Sequence, residues 1–213
     1  MKLYTARISP YAAICRAQIY AKNLEVEMLE LPDDASWEDV RAINPLCKIP
    51  VLVDGELMLP ESQVICEYLE DRFPEHSLRP TDARDLARMR LLVRIADTYL
   101  MTQLVPLFAH LSRKHRDQSV VDRQTNLIAQ SLATLDHYLP ETGFAVGQHI
   151  TLADCTLAPI LVFIEQYMPY FGIASPFLSH SRLSRYWDEI KINQVISRVI
   201  DEIHHGISAK QKK

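Results

Sequence analysis

The spacing of apolar residues changes several times along the chain, and each change marks an element. Residues 2–8 are short and strand-like. From Ser9 the period becomes helical, with Ile14, Ala17 and Ala21 on one side. Ser9 suits an N-cap and Pro10 the first helical position, where the missing N–H would have had no partner. Asn23 marks the stop. Leu24, Val26 and Met28 then alternate with Glu25 and Glu27, the period of a half-buried strand, and Leu29 breaks the alternation, so the strand is expected to end or bulge there. Residues 36–43 predict a short helix ending before Asn44-Pro45. "IPVLV" and "ELML" flank Asp54-Gly55 and predict a hairpin with a two-residue turn. "SQVICEYLEDRF" puts Val64, Ile65, Tyr68, Leu69 and Phe73 on one side of a helix over 63–73, capped by Ser62 and stopped by Pro74. The order β-α-β-α-β-β-α builds a small mixed sheet with helices on its faces.

Beyond residue 74 the pattern is different. "PEHSLRPTD" reads as a linker, and no convincing strand follows it. Residues 83–112 and 117–138 predict long helices, the first kinked at Pro106. "ETGFAVGQH" is a loop, and the mostly apolar "ITLADCTLAPILVFIEQY" predicts a buried central helix. Helices over 178–190 and 193–205 are expected to close this domain, leaving "SAKQKK" as a frayed basic tail. The chain therefore divides into an α/β domain over 1–75, a linker over 76–82 and an all-helical domain over 83–213.

Composition narrows the function classes. Apolar residues make up 48% of the 213, enough for a sizeable core. A formal net charge of −4 gives no electrostatic case for nucleic acid or an anionic membrane. The thiols Cys15, Cys47, Cys66 and Cys155 form no C-x-x-C pair and lack a close histidine at zinc-finger spacing, so no metal site is expected. Isolated thiols suit a reduced compartment. "MKLYTARISP" has no signal-peptide core, and no apolar run is expected to reach the ~18 residues of a membrane span. The expectation is a soluble cytoplasmic protein.

Candidate chemistry gathers in "CKIPVLVDGELMLPES", residues 47–62. Proline breaks a sheet ladder unless it lies at a strand start, edge or bulge. Pro50 is either a trans edge-strand proline or a cis proline that exposes the backbone of Ile49 to an extended ligand. Glu61-Ser62 is either a plain helix cap with a solvated glutamate or, with the helix N-terminus, a site for an α-amino acid head group. Lys48 offers a point charge to a second carboxylate.

With "NPLCKIPVLVDGELMLPESQVICEYLEDRFP", "SPYAAICR" and "ITLADCTLAPIL", the sequence resembles the glutathione S-transferase superfamily over nearly its whole length. The resemblance implies a thioredoxin-like N-terminal domain, an all-helical C-terminal domain, a homodimer and glutathione as co-substrate, without a metal. It implies a cis Pro50, with the Ile49 backbone pairing the cysteinyl part of glutathione. Glu61 and Ser62 would hold the γ-glutamyl head, and Lys48 the glycyl carboxylate. Ser9 stands where serine-type members carry the catalytic serine. A hydroxyl that donates to sulfur favours the thiolate, as does a helix N-terminus, and the thiolate is the nucleophile. The other reading of Ser9 is a simple cap.

The rivals to Ser9 are weaker. Tyr4 comes early and suits a strand core, Tyr11 packs in the helix start, and Cys15 falls in the second helical turn. The cysteine-type members place their cysteine where this chain has Ser9. Cys47 stands where glycine is frequent in the family, and the serine-rich, cysteine-containing signature of maleylacetoacetate isomerases is missing. Tyr11, Tyr99 and Phe108 are candidates for the wall of a pocket for a hydrophobic electrophile. Thr151-x-x-Asp154 reads as a structural capping box with Ile150 as its staple. The stretch from "LVDGELM" onward is also similar to the stringent starvation protein A branch. That resemblance implies an RNA polymerase-associated regulator without glutathione activity. Ser9-Pro10 and Lys48 favour the enzyme. A non-catalytic carrier of apolar ligands is the third reading.

Overall fold

Strand β1 (Lys2–Thr5) lies between two neighbours, parallel β2 (Glu27–Glu30) and antiparallel β3 (Val51–Asp54), and β4 (Leu57–Pro60) completes the order β2-β1-β3-β4. This is a computed structural model, and it describes residues 1–31 and 36–211. Helices α1 (Pro10–Ala21), α2 (Trp37–Ile43) and α3 (Ser62–Arg72) alternate with the strands in the expected order. Leu3, Val51 and Leu52 of the sheet, Ala13, Ile14 and Ile19 of α1, and Ile65 and Leu69 of α3 are almost wholly buried. Each of these leucine, isoleucine and valine side chains contributes about 1.5–3 kcal/mol on leaving water.

Three local expectations need correction. The second strand begins at Glu27, three residues after Leu24, and runs through Leu29 to Glu30. The end of α1 explains the shift. Asn23 takes a left-handed φ of 50°, and the Leu24 N–H returns to the Ile19 carbonyl at 3.0 Å, so Leu24 closes the helix instead of starting a strand. In the hairpin, Asp54 pairs with Leu57, so the turn is Gly55-Glu56, with Gly55 at φ 61°. The third helix starts at Ser62, and its N-cap is Glu61.

Two units emerge, Met1–Arg79 together with the segment from Gln194, and Pro80–Asn193. Helix α9 (Gln194–Gln211) was expected to stop near 205 and to close the helical domain, but it runs to Gln211 and packs on α1. Periodicity shows that a helix buries a face. It does not show against what.

The second unit contains α4 (Ala83–Arg94), a π-helical stretch over Ile95–Met101, α5 (Thr102–Leu107), α6 (Gln118–Tyr138), α7 (Leu152–Tyr167) and α8 (Ser181–Ile190). The departure from α geometry thus begins well before Pro106. Every residue of α7 from Leu152 to Ile164 is buried, as its all-round apolarity predicts. By length and composition alone, the continuous helical run Ala83–His110, with an 18-residue window of mean hydropathy 1.3, is apolar enough to cross a membrane, a property that core helices share. Its buried residues, among them Met89, Leu92, Leu100, Leu104 and Leu107, form a stripe in this unit's core.

Candidate functional site

Strand register brings the candidate residues to one end of the sheet. Val51 pairs with Tyr4 near the end of β1 and with Pro60 at the end of β4. Because both pairings are antiparallel, the end of β1, the start of β3 and the end of β4 lie together. The chain passes from β1 to Ser9, enters β3 through Lys48, Ile49 and Pro50, and leaves β4 into Glu61 and Ser62. Helices α1 and α3 both begin there, so two helix N-termini place their partial positive charge at the same edge. The Cys15 thiol donates to the Ser62 carbonyl at 3.7 Å, which ties the second turn of α1 to the start of α3.

Ser9 is half-buried, and its Oγ accepts from the Ala12 N–H at 3.2 Å. Its own N–H donates to the Ala6 carbonyl at 3.0 Å. Capping uses a lone pair of the hydroxyl and leaves its proton to donate, so the cap and a thiolate-stabilising role are compatible.

The Ile49–Pro50 peptide is cis. Among the described residues, neither the N–H nor the C=O of Ile49 has a hydrogen-bond partner. Lys48 is exposed, and no carboxylate among the described residues pairs with its ammonium. The loop before Pro50 is organised by a residue that sequence reasoning missed. Asn44 is buried; its Nδ2 donates to the Lys48 carbonyl at 2.7 Å and its Oδ1 accepts from the Leu46 N–H at 3.0 Å. The available signal was an asparagine directly before Pro45 in a loop, the setting in which a side-chain amide imitates backbone. Cys47 adopts φ 53°, in the region where glycine is least strained, so the replacement of the family's frequent glycine bears on the backbone itself. Its sulfur accepts from Arg41 Nε at 3.5 Å, and this contact pushes the Arg41 pKa up.

Glu61 is exposed and held at φ 70°, ψ 114°, with no side-chain capping bond. A glutamate held in that region is strained by about 1–3 kcal/mol, and such strain concentrates at ligand clamps. Ser62 is buried in the first turn of α3. Tyr4 is half-buried in β1, and Tyr11 half-buried in the first turn of α1.

In the second unit, Tyr99 and Phe108 have different surroundings. Tyr99 lines a groove of about 360 Å³ with Leu91, Leu127 and Tyr138. Phe108 stacks edge-on against Tyr167, with ring centres 5.1 Å apart, and against Phe163 at 6.2 Å. Asp154 is wholly buried. Its carboxylate accepts from the Thr151 N–H at 2.8 Å and hydroxyl at 2.9 Å, the Ala145 N–H at 2.8 Å and the Tyr186 hydroxyl at 3.1 Å. Burial pushes its pKa up against those four bonds, and the Tyr186 hydroxyl is held well above its ordinary value by burial and by the Asp154 charge. A carboxylate saturated by four donors from its own unit acts as a structural clamp. Among the described residues, no three His, Cys, Asp or Glu side chains gather as a metal site.

Comparison with known proteins adds identity to this geometry. Residues 3–77 match the glutathione S-transferase N-terminal domain family, and residues 118–188 match the corresponding C-terminal domain family. The chain is 31% identical over 169 residues to glutathione S-transferase Z2 of Arabidopsis thaliana, covering 75% of this chain and 74% of that one. It is 28% identical over 187 residues to a stringent starvation protein A homolog of Coxiella burnetii, covering 87% of this chain and 84% of the other. A glutathione S-transferase of Methylobacterium radiotolerans, solved in complex with glutathione sulfonate, superposes with a TM-score of 0.80 at 24% identity, over 93% of each chain. The fold and the edge site define a thioredoxin-like domain joined to a helical one. The chain belongs to the glutathione S-transferase superfamily.

Proposed function

We propose that the protein is a glutathione transferase that activates the glutathione thiol for attack on a hydrophobic electrophile. The observation that carries this is the convergence of Ser9, the unpartnered Ile49 backbone and strained Glu61 at one end of the sheet. Glutathione would lie along the start of β3, its cysteinyl backbone pairing with Ile49. Its γ-glutamyl carboxylate would meet the start of α3 at Ser62 and its ammonium Glu61, while the glycyl carboxylate would meet Lys48. The Ser9 hydroxyl would donate to sulfur, so the thiol loses its proton to solvent at lower pH. The thiolate electron pair then forms a carbon–sulfur bond, and the leaving group departs with the electrons of the bond it gives up. For the apolar body of the electrophile we assign Tyr11, half-buried in the first turn of α1, by its side-chain chemistry. The groove lined by Tyr99 suits a second copy of the chain, with Tyr99 56% and Leu91 39% exposed on a face of the helical unit. We place the activity in the cytoplasm, as a homodimer, with no nucleic-acid or membrane partner.

The alignment with a stringent starvation protein A homolog supports a second reading, an RNA polymerase-associated regulator without glutathione activity. Calorimetric titration with glutathione under reducing conditions separates the two. Micromolar-to-millimolar binding and turnover with an aromatic electrophile support the transferase. An absence of binding heat, with co-purification of RNA polymerase, overturns it.

A further inference from the structure

Helix α9 is fastened to the short turn that delivers Ser9, and two contacts fasten it. The first is polar. Arg16 of α1 is only 3% exposed, and all three guanidinium nitrogens are engaged. Nη1 donates to Thr5 Oγ1 at 2.8 Å and to the Ala6 carbonyl at 3.0 Å, and Nη2 donates to the Arg7 carbonyl at 3.2 Å. Nε donates to Glu202 of α9 at 2.8 Å. The Ala6 carbonyl that receives Nη1 is the one that receives the Ser9 N–H. Glu202 is itself fixed by the Tyr20 hydroxyl, which donates to Oε1 at 2.9 Å.

The second contact is steric. Gly206 of α9 stands so close to the turn that a Cβ there would lie 2.8 Å from Arg7 Cβ and 3.0 Å from the Ile8 nitrogen. Those are not the ends of flexible side chains, so any substituent must displace either the helix or the turn. A glycine inside a helix costs about 1 kcal/mol relative to alanine. Here the close approach gives that glycine a reason. Terminal-helix packing alone would require neither a buried fork closed on residues 5–7 nor the missing Cβ opposite Ile8.

We infer that α9, through Gly206 and the Glu202–Arg16 pair, is the positioning element for Ser9, setting where its hydroxyl points at the sheet edge. The inference rests on the proposed role of Ser9 as donor to the glutathione sulfur. Gly206, Arg16 and Glu202 are positioning residues, which act through the turn before Ser9. Misplacing a donor weakens the thiolate more than it weakens binding, because the tripeptide is held by Ile49, Glu61, Ser62 and Lys48.

The test measures the ultraviolet absorbance of bound glutathione thiolate against pH, together with the dissociation constant, for the wild type, Gly206→Ala, Glu202→Gln and each of these combined with Ser9→Ala. In the Ser9 background, each variant is expected to keep glutathione affinity within about threefold and to lower the thiolate fraction by about tenfold, one unit of thiol pKa. In the Ser9→Ala background neither substitution should move the thiol further. Glu202→Gln adds no volume and carries the same readout if Gly206→Ala does not fold. An unchanged thiol pKa in the folded variants, or an equal shift with and without Ser9, overturns the inference and leaves the transferase reading standing. A wild type that binds no glutathione overturns both, a result distinct from the first.

Discussion

The Lys22 ammonium and the Glu70 carboxylate meet at 3.1 Å with neither side chain exposed to solvent. Lys22 also donates to the His76 carbonyl at 2.9 Å, while Glu70 accepts from Gln18 at 2.9 Å, the Ser77 hydroxyl at 2.8 Å and the Leu78 N–H at 2.9 Å. The pair thus joins α1, α3 and the segment that leaves the first unit. Removing one partner strands the other charge without water. Lys22→Met is expected to lower the unfolding free energy by about 3–5 kcal/mol, read from urea melts, with glutathione affinity retained in the fraction that stays folded. A change under 1 kcal/mol would show that solvent reaches the site.

Ser9 carries two duties that substitution can separate. Ser9→Ala deletes both the cap and the sulfur donor, so it should lower stability by about 0.5–2 kcal/mol and remove most turnover. Ser9→Asp restores the acceptor for the Ala12 N–H and sets a negative charge against the thiolate. Its thermal midpoint should recover while its kcat stays low. Recovery of kcat along with stability would reduce Ser9 to a cap.

Glu61 opposes stability to ligand binding. At φ 70° a glycine is far less strained than a glutamate. Glu61→Gly is therefore expected to hold or raise the melting temperature while weakening glutathione by about tenfold or more, the worth of one charge-assisted hydrogen bond. Parallel thermal melts and calorimetry check both signs. A variant less stable than the wild type would show that the side chain supports the fold.

Asp154 is expected to matter to the fold rather than to the chemistry. Asp154→Ala leaves buried donors at Ala145, Thr151 and Tyr186 without an acceptor. At about 1–3 kcal/mol for each unsatisfied group, soluble expression should fall steeply. Whatever folds should bind glutathione as the wild type does.

A pH effect follows at Asp117, the N-cap of α6. The Ser119 hydroxyl, then the Val120 and Ser119 N–H groups, hold its carboxyl below the usual carboxylate range. A folded-state pKa below the unfolded one means that the contribution to stability is present above the unfolded value, about 3.9, and is lost as pH falls through the folded value. Carboxyl-carbon titration by NMR should give Asp117 a midpoint below that of an exposed reference aspartate, and Asp117→Asn should flatten the acid limb of the stability curve.

Much of the first unit could be read from local chemistry. The order of Pro50, hairpin, Glu61 and Ser62 is contiguous, and each residue type restricts backbone or hydrogen bonding within a few positions of itself. Thr151 and Asp154 were legible for the same reason. The left-handed φ of Glu61 was not, because glutamate has no preference for that region and only the surrounding structure holds it there. The Arg16–Glu202 pair was also invisible, its members being 186 positions apart with no local constraint linking them. An arginine at a buried helix position was the one hint. The strand after α1 was misplaced because Asn23 and Leu24 answer to the helix end, which overrides the alternation that follows. Tyr99 and Phe108 were grouped by residue type, a criterion that carries no direction, and the helix turns them to different neighbours.

The chain leaves its first unit at Arg79 and returns to it at Gln194. Domain-exchange chimeras joined only at the linker would therefore graft a foreign last helix onto the native sheet, with a stranger's residues opposite Ile8. Such hybrids need a second crossover near Asn193 if they are to inherit a matched set.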